Sequence, residues 1–166
     1  MSSSIMSVMR WLSEDEQATW RAFVHATTLL DDHLDRQLQR DAGMTHLYFA
    51  LLSTLSETQG RSMRMTELAE KTKITRSRLS HAVARLEGNG WLRRESCPSD
   101  RRGQMCVLTD EGYQEVVRTA PGHVAAVRAA IFDRLTPEQT ARLGEIARII
   151  AEGLHQPADA DLPWQR

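Results

Sequence analysis

The sequence predicts a mainly α fold: a helix–turn–helix followed by a two-stranded β wing, with N- and C-terminal helices that pair two copies. Three observations carry this. Glu67–Thr72 and Arg76–Asn89 read as two short helices about a Lys73-Ile74 turn. Trp91–Glu95 and Gln104–Leu108 read as strands joined by a Ser-Asp-Arg-Arg-Gly tip. Apolar residues recur at helical spacing over long segments at both ends, more than a small central lobe can cover.

Each element has its own signal. Ser13 with Glu16 three residues on makes a capping box, and Glu14 and Asp15 suit the positive end of the helix dipole. The helix that follows, to about Arg40, carries Trp20, Phe23, Val24, Thr27, Leu30, Leu34 and Leu38 on one stripe and stops at Gly43. Thr45 caps a second helix over residues 46–57. Thr75 caps the fourth helix and Gly90 ends it. Thr109-Asp110-Glu111 opens a fifth helix, in which Pro121 predicts a kink. Thr136-Pro137 starts a sixth, with Leu143, Ile146, Ala147, Ile150 and Leu154 as its stripe. The expected organisation is dimerisation and connecting helices over residues 1–60, the winged lobe over 61–108, dimerisation helices over 109–155 and a tail over 156–166.

Charge is segregated. The chain has 166 residues and a net charge of −1, but residues 61–103 hold 11 Lys/Arg against 5 Asp/Glu. A basic block in an otherwise acidic chain is the electrostatic footprint of a nucleic-acid surface. At about 100° per residue, Leu79, Ala82, Val83 and Leu86 share the inner face of the fourth helix, and Ser77, His81 and Ala84 point the opposite way. Ser80, Arg78 and Arg85 flank them. Short side chains let a helix approach base edges, and long basic ones reach guanine or phosphate. Arg76 and Arg78 are the leading candidates for guanine or phosphate contact, followed by Ser77, Ser80 and His81 for base edges. Thr75 is first a cap and then a phosphate ligand. Arg85 has two readings, a phosphate contact or a salt bridge to Glu87 or a neighbour. Arg93 and Arg94 are further phosphate candidates. At the wing tip, Asp100 can orient the Arg102 guanidinium, and either Arg101 or Arg102 enters the minor groove, where narrow A·T tracts concentrate negative potential.

The segment TELAEKTKITRSRLSHAVARLEGNGWLRRE, the wing SDRRG and VLTDEGYQ together resemble the multiple-antibiotic-resistance regulators, the MarR family, over about residues 10–154. One departure is Arg64, which stands where that family often has a hydroxyl cap for the third helix, and leaves either a frayed start or a cap by Thr66. The resemblance implies a homodimeric regulator of transcription, a repressor or sometimes an activator. It would bind a near-palindromic double-stranded DNA operator with recognition helices in successive major grooves about 34 Å apart. It also implies release of DNA by a small aromatic effector held between the lobe and the dimer helices. Trp20, His25, His33, Tyr48 and Tyr113 are the candidate lining residues, with core packing or a surface role as the competing reading for each. The alternative function is a winged-helix module for protein contact without sequence-specific DNA binding.

Other classes are disfavoured. No phosphate loop, zinc-protease helix or nucleophile elbow occurs, so no catalytic residue is expected. The six histidines form no tight pair, and His33 among Asp31, Asp32 and Asp35 reads as a solvated face, so no metal or cofactor is expected. Cys97 and Cys106 flank the wing tip and could face each other, but two small side chains in a reduced hairpin are the simpler reading. Without a membrane-spanning run or a signal-peptide pattern, the expected location is the cytoplasm.

Overall fold

The computed structural model describes residues 10–97 and 100–154, of which 100–102 by their backbone alone. Six helices and three strands follow in the order α1 (Glu14–Ala42), α2 (His46–Ser56), β1 (Ser62–Arg64), α3 (Met65–Thr72), α4 (Arg76–Gly88), β2 (Leu92–Cys97), β3 (Asp100–Leu108), α5 (Asp110–Ala130) and α6 (Pro137–Leu154). Short 3₁₀ turns cover Gln59–Arg61 and Phe132–Arg134. Two compact units divide between His123 and Val124. No described helix is long and apolar enough to cross a membrane.

The expected caps are formed. Ser13 Oγ accepts from the Glu16 amide at 3.1 Å, and Glu16 Oε2 takes the Ser13 amide at 2.7 Å. Gly43 ends α1 at φ 63°, a left-handed conformation that costs glycine little. Thr45 caps α2, and Thr75 caps α4 by accepting from the Arg78 amide at 3.2 Å. Arg64 gives α3 no side-chain cap, and Thr66 lies inside the helix rather than before it. The helix instead follows directly from β1. At α6, Thr136 Oγ1 accepts from the Gln139 amide, and Gln139 Oε1 accepts from the Thr136 amide.

The sheet differs from the expected two-stranded wing. It has three antiparallel strands in the order β1-β3-β2. Ser62–Arg64 pairs with Met105–Val107 of β3, so the lobe opens on a strand that three residues are too few to announce by alternation. β3 also runs four residues further toward the tip than the Gln104 start expected. Pro121 lies inside α5, which continues to Ala130.

The core of the first unit joins α2, α3, α4, the sheet and the ends of α1 and α5. Leu38, Leu51, Leu52, Leu55, Leu68, Val83 and Leu86 are fully buried in it. Ile74, at the turn between α3 and α4, packs against it. Only the C-terminal part of α1 contributes buried residues, namely Leu34, Gln37 and Leu38. Trp20, Phe23 and Val24 of the same stripe are exposed.

One packing contact admits no larger residue. A Cβ at Gly112, in the first turn of α5, would overlap the Trp91 carbonyl oxygen and crowd Leu108. The obstacle is largely backbone, so it cannot swing aside. Gly112→Ala should lower the unfolding free energy by about 1–3 kcal/mol, read as a shift of the urea midpoint. An unchanged midpoint would mean that α5 slides to accommodate the methyl.

Candidate nucleic-acid interface

α4 is held by its apolar face and presents its polar one. Leu79, Ala82, Val83 and Leu86 are buried, whereas Thr75, Arg76, Ser77, Arg78, Ser80, His81, Ala84 and Arg85 are all exposed. The division follows the helical repeat. Arg76, Arg78 and Arg85 enter no ion pair among the described residues. Their charges face solvent and remain available to a ligand.

The two readings of Arg85 are separated by Glu87. That carboxylate is engaged by Arg94 of β2, not by Arg85. It accepts from the Arg94 amide at 2.9 Å and from Nε at 2.8 Å, and a terminal guanidinium nitrogen lies 2.6 Å away. The hydrogen bond to Glu87 raises the Arg94 pKa above its usual value. Arg94 is therefore a brace between α4 and β2 rather than a free phosphate ligand. Arg93 is likewise engaged, with Nε 2.7 Å from Glu95 Oε1. The brace also takes the nearest acid on α4 away from the exposed basic face.

The backbone of residues 100–102 belongs to β3. The side chains of Asp100, Arg101 and Arg102 lie outside the described residues, and with them the expected orienting pair and the minor-groove arginine. The cysteines do not face each other. Cys97 pairs in register with Asp100, whereas Cys106 lies opposite Arg94 on one side and Met63 on the other. No disulfide joins them. Burial pushes the Cys106 thiol up to about 11, and its Sγ sits 3.0 Å from Met65 Sδ. A thiol so protonated is a poor redox sensor.

The candidate effector residues are not brought together. Trp20, His25 and His33 are exposed along α1. Tyr48 lines a recess of about 470 Å³ with Asp31, Asp35, His46 and Arg78. Tyr113 lines a separate recess of about 590 Å³ with Arg61 and Asp110. A polar cluster that sequence reasoning missed joins α1, α2 and α5. His123 Nδ1 lies 3.1 Å from Gln37 Oε1, and Gln37 Nε2 donates to Asp41 at 2.7 Å. The His123 ring packs 4.7 Å from Phe49 and 5.4 Å from His46. Burial, with His46 adding to it, lowers the His123 pKa. Gln37 and His123 are 86 positions apart, and no local spacing announces their meeting. Among the described residues no group of three or more His, Cys, Asp or Glu is placed to hold a metal ion.

This architecture has known relatives. The model of the MarR family matches residues 42–103. The fold superposes on the crystal structure of Sco3205, a MarR family transcriptional regulator from Streptomyces coelicolor solved in complex with DNA. The TM-score is 0.89 at 68% identity, covering 96% of this chain and 99% of that one. AbsC, a MarR family transcriptional regulator from the same organism, matches with a TM-score of 0.84 at 42% identity over 88% of this chain and 98% of its own. The HTH-type transcriptional regulator YkoM of Bacillus subtilis (strain 168) is 26% identical over 136 residues, which cover 82% of this chain and 84% of that protein. With the helix–turn–helix, the wing strands and both flanking helical segments matched at such identity, this chain belongs to the MarR family of transcriptional regulators.

Proposed function

We propose that the chain represses transcription by binding a near-palindromic DNA duplex as a homodimer, with α4 in the major groove and the β2–β3 wing over the adjacent minor groove. The observation that carries this is the exposed face of α4. There, three arginines without an ion pair among the described residues flank Ser77, Ser80 and His81, and Glu87 is turned away to Arg94. Arginines supply phosphate neutralisation and bidentate contact to guanine, and the small residues allow close approach to base edges. That Sco3205 was solved with DNA supports the reading.

The homodimer rests on the apolar residues that the chain leaves uncovered. Trp20, Phe23 and Val24 on α1 and Leu143, Ile146, Ile149 and Ile150 on α6 are all exposed. A twofold partner covers such stripes and sets the spacing between recognition helices. In this reading the helical ends are the dimerisation domain, and residues 61–108 are the reading head. A small aromatic effector acts at the Tyr48 recess, because Arg78 lines it as well as the face turned to DNA. The chain is then a cytoplasmic binding protein, with no reaction assigned to it.

Selection of bound duplexes from a random pool, followed by a salt titration of the winner, tests this reading. The expected result is a site preference over random duplex and a log–log slope of roughly −0.9 per neutralised phosphate. Equal binding to selected and random duplexes would instead favour the protein-contact module.

A further inference from the structure

A recess where β3 runs into α5 is lined by no residue of α4, and a held cation stands on its wall. The Arg61 guanidinium carbon stands 3.5 Å from the centre of the Tyr113 ring, a cation–π contact. Its Nη1 lies 3.0 Å from Asp110 Oδ1. Arg93 lines the same recess, which has a volume of about 590 Å³. The backbone is committed to this placement. Arg61 has φ 51°, and only Lys73 shares a positive φ among the described non-glycine residues. Lys73 closes α3 as a left-handed cap, an ordinary use. Arg61 instead follows Gly60 at φ 68°, so two successive left-handed residues turn its side chain back over Tyr113. Such a conformation is costly for a residue with a Cβ.

The cation is fixed, but its counter-ion is not. The Arg61 side chain is 37% exposed, whereas the Asp110 side chain is 94% exposed. An ion pair with one partner wholly in water contributes little and exchanges readily. Ser56 and Thr58, also on the wall, donate their hydroxyl protons to the carbonyl oxygens of Ser53 and Thr54. Toward the recess they can only accept. The recess thus offers guanidinium donors to an anion and hydroxyl acceptors to a donor beside it.

We propose that this recess binds a small hydroxylated oxyanion, a carboxylate or phosphate ester that takes the place of the Asp110 carboxylate on Arg61. The site is separate from α4 and from the Tyr48 recess, and it does not depend on DNA binding.

Calorimetric titration of the full chain with inorganic phosphate, and separately with malate, at constant ionic strength tests the proposal and distinguishes the two anion sources. Saturable binding of at least one of them is expected. Asp110→Asn should tighten it severalfold, because the internal competitor is gone. Glu111→Gln makes the same charge change one residue along and should leave it unchanged. Arg61→Gly, which keeps the left-handed backbone and removes the guanidinium, should abolish it. The proposal is overturned if neither anion binds wild type or Asp110→Asn, if Asp110→Asn binds no tighter than Glu111→Gln, or if Arg61→Gly binds like wild type. Binding lost in Arg78→Ala but kept in Arg61→Gly would place the anion on α4 and overturn it equally.

Discussion

Replacing Arg78 with alanine should weaken binding to a selected operator by about 1–3 kcal/mol, the value of one good bidentate contact to a base, and leave the fold intact. The guanidinium is exposed and in no ion pair among the described residues, so removing it costs the free protein little. The cap of α4 survives, because Thr75 accepts from the backbone amide of residue 78 rather than from its side chain. Gel-shift titration of operator and random duplex tells two roles apart. A base contact loses affinity on the operator alone, whereas a phosphate contact loses it on both and flattens the salt slope by about 1. Unchanged affinity on both duplexes would remove Arg78 from the interface. Arg94→Ala serves as a contrast, since it breaks the brace to Glu87 and should show first as lost stability.

The second large effect concerns the apolar stripe of α6. Ile146→Asp should convert the protein to monomers and remove most of its operator affinity. Ile146 is 54% exposed in the single chain, so the fold of one copy does not rest on it. In a twofold interface the position occurs twice. Each isoleucine, about half covered within its own chain, then forfeits roughly 1–1.5 kcal/mol of interface burial, and each new carboxylate must be desolvated. Sedimentation velocity reads the assembly, and circular dichroism verifies that the helices persist. A variant that stays dimeric would move the interface off α6.

Much of this was legible locally. The Ser13–Glu16 box, the left-handed Gly43, the Thr75 cap and the inward set Leu79, Ala82, Val83 and Leu86 are short-range consequences of backbone hydrogen bonding and helical period. The sequence places them at the positions where they occur. The exposed face of α4 came with them, because an inner face fixed by four apolar residues leaves the rest outside. What escaped depends on partners distant in sequence. β1 is three residues long and gains strand character only by lying against β3. The extra length of β3 runs through Asp-Arg-Arg-Gly, a run without the alternating apolar residues that mark a strand. The Arg94 brace takes Glu87 from Arg85 through a contact between a helix and a strand, which spacing along α4 cannot display. Arg61 over Tyr113 and Gln37 against His123 are meetings of the same non-local kind.

Hydroxyl-radical footprinting of the selected operator tests the central claim most directly. Two equal protected windows with twofold symmetry, centred about one helical turn apart, are the predicted result. A single window, or uniform protection without a dyad, would contradict the account.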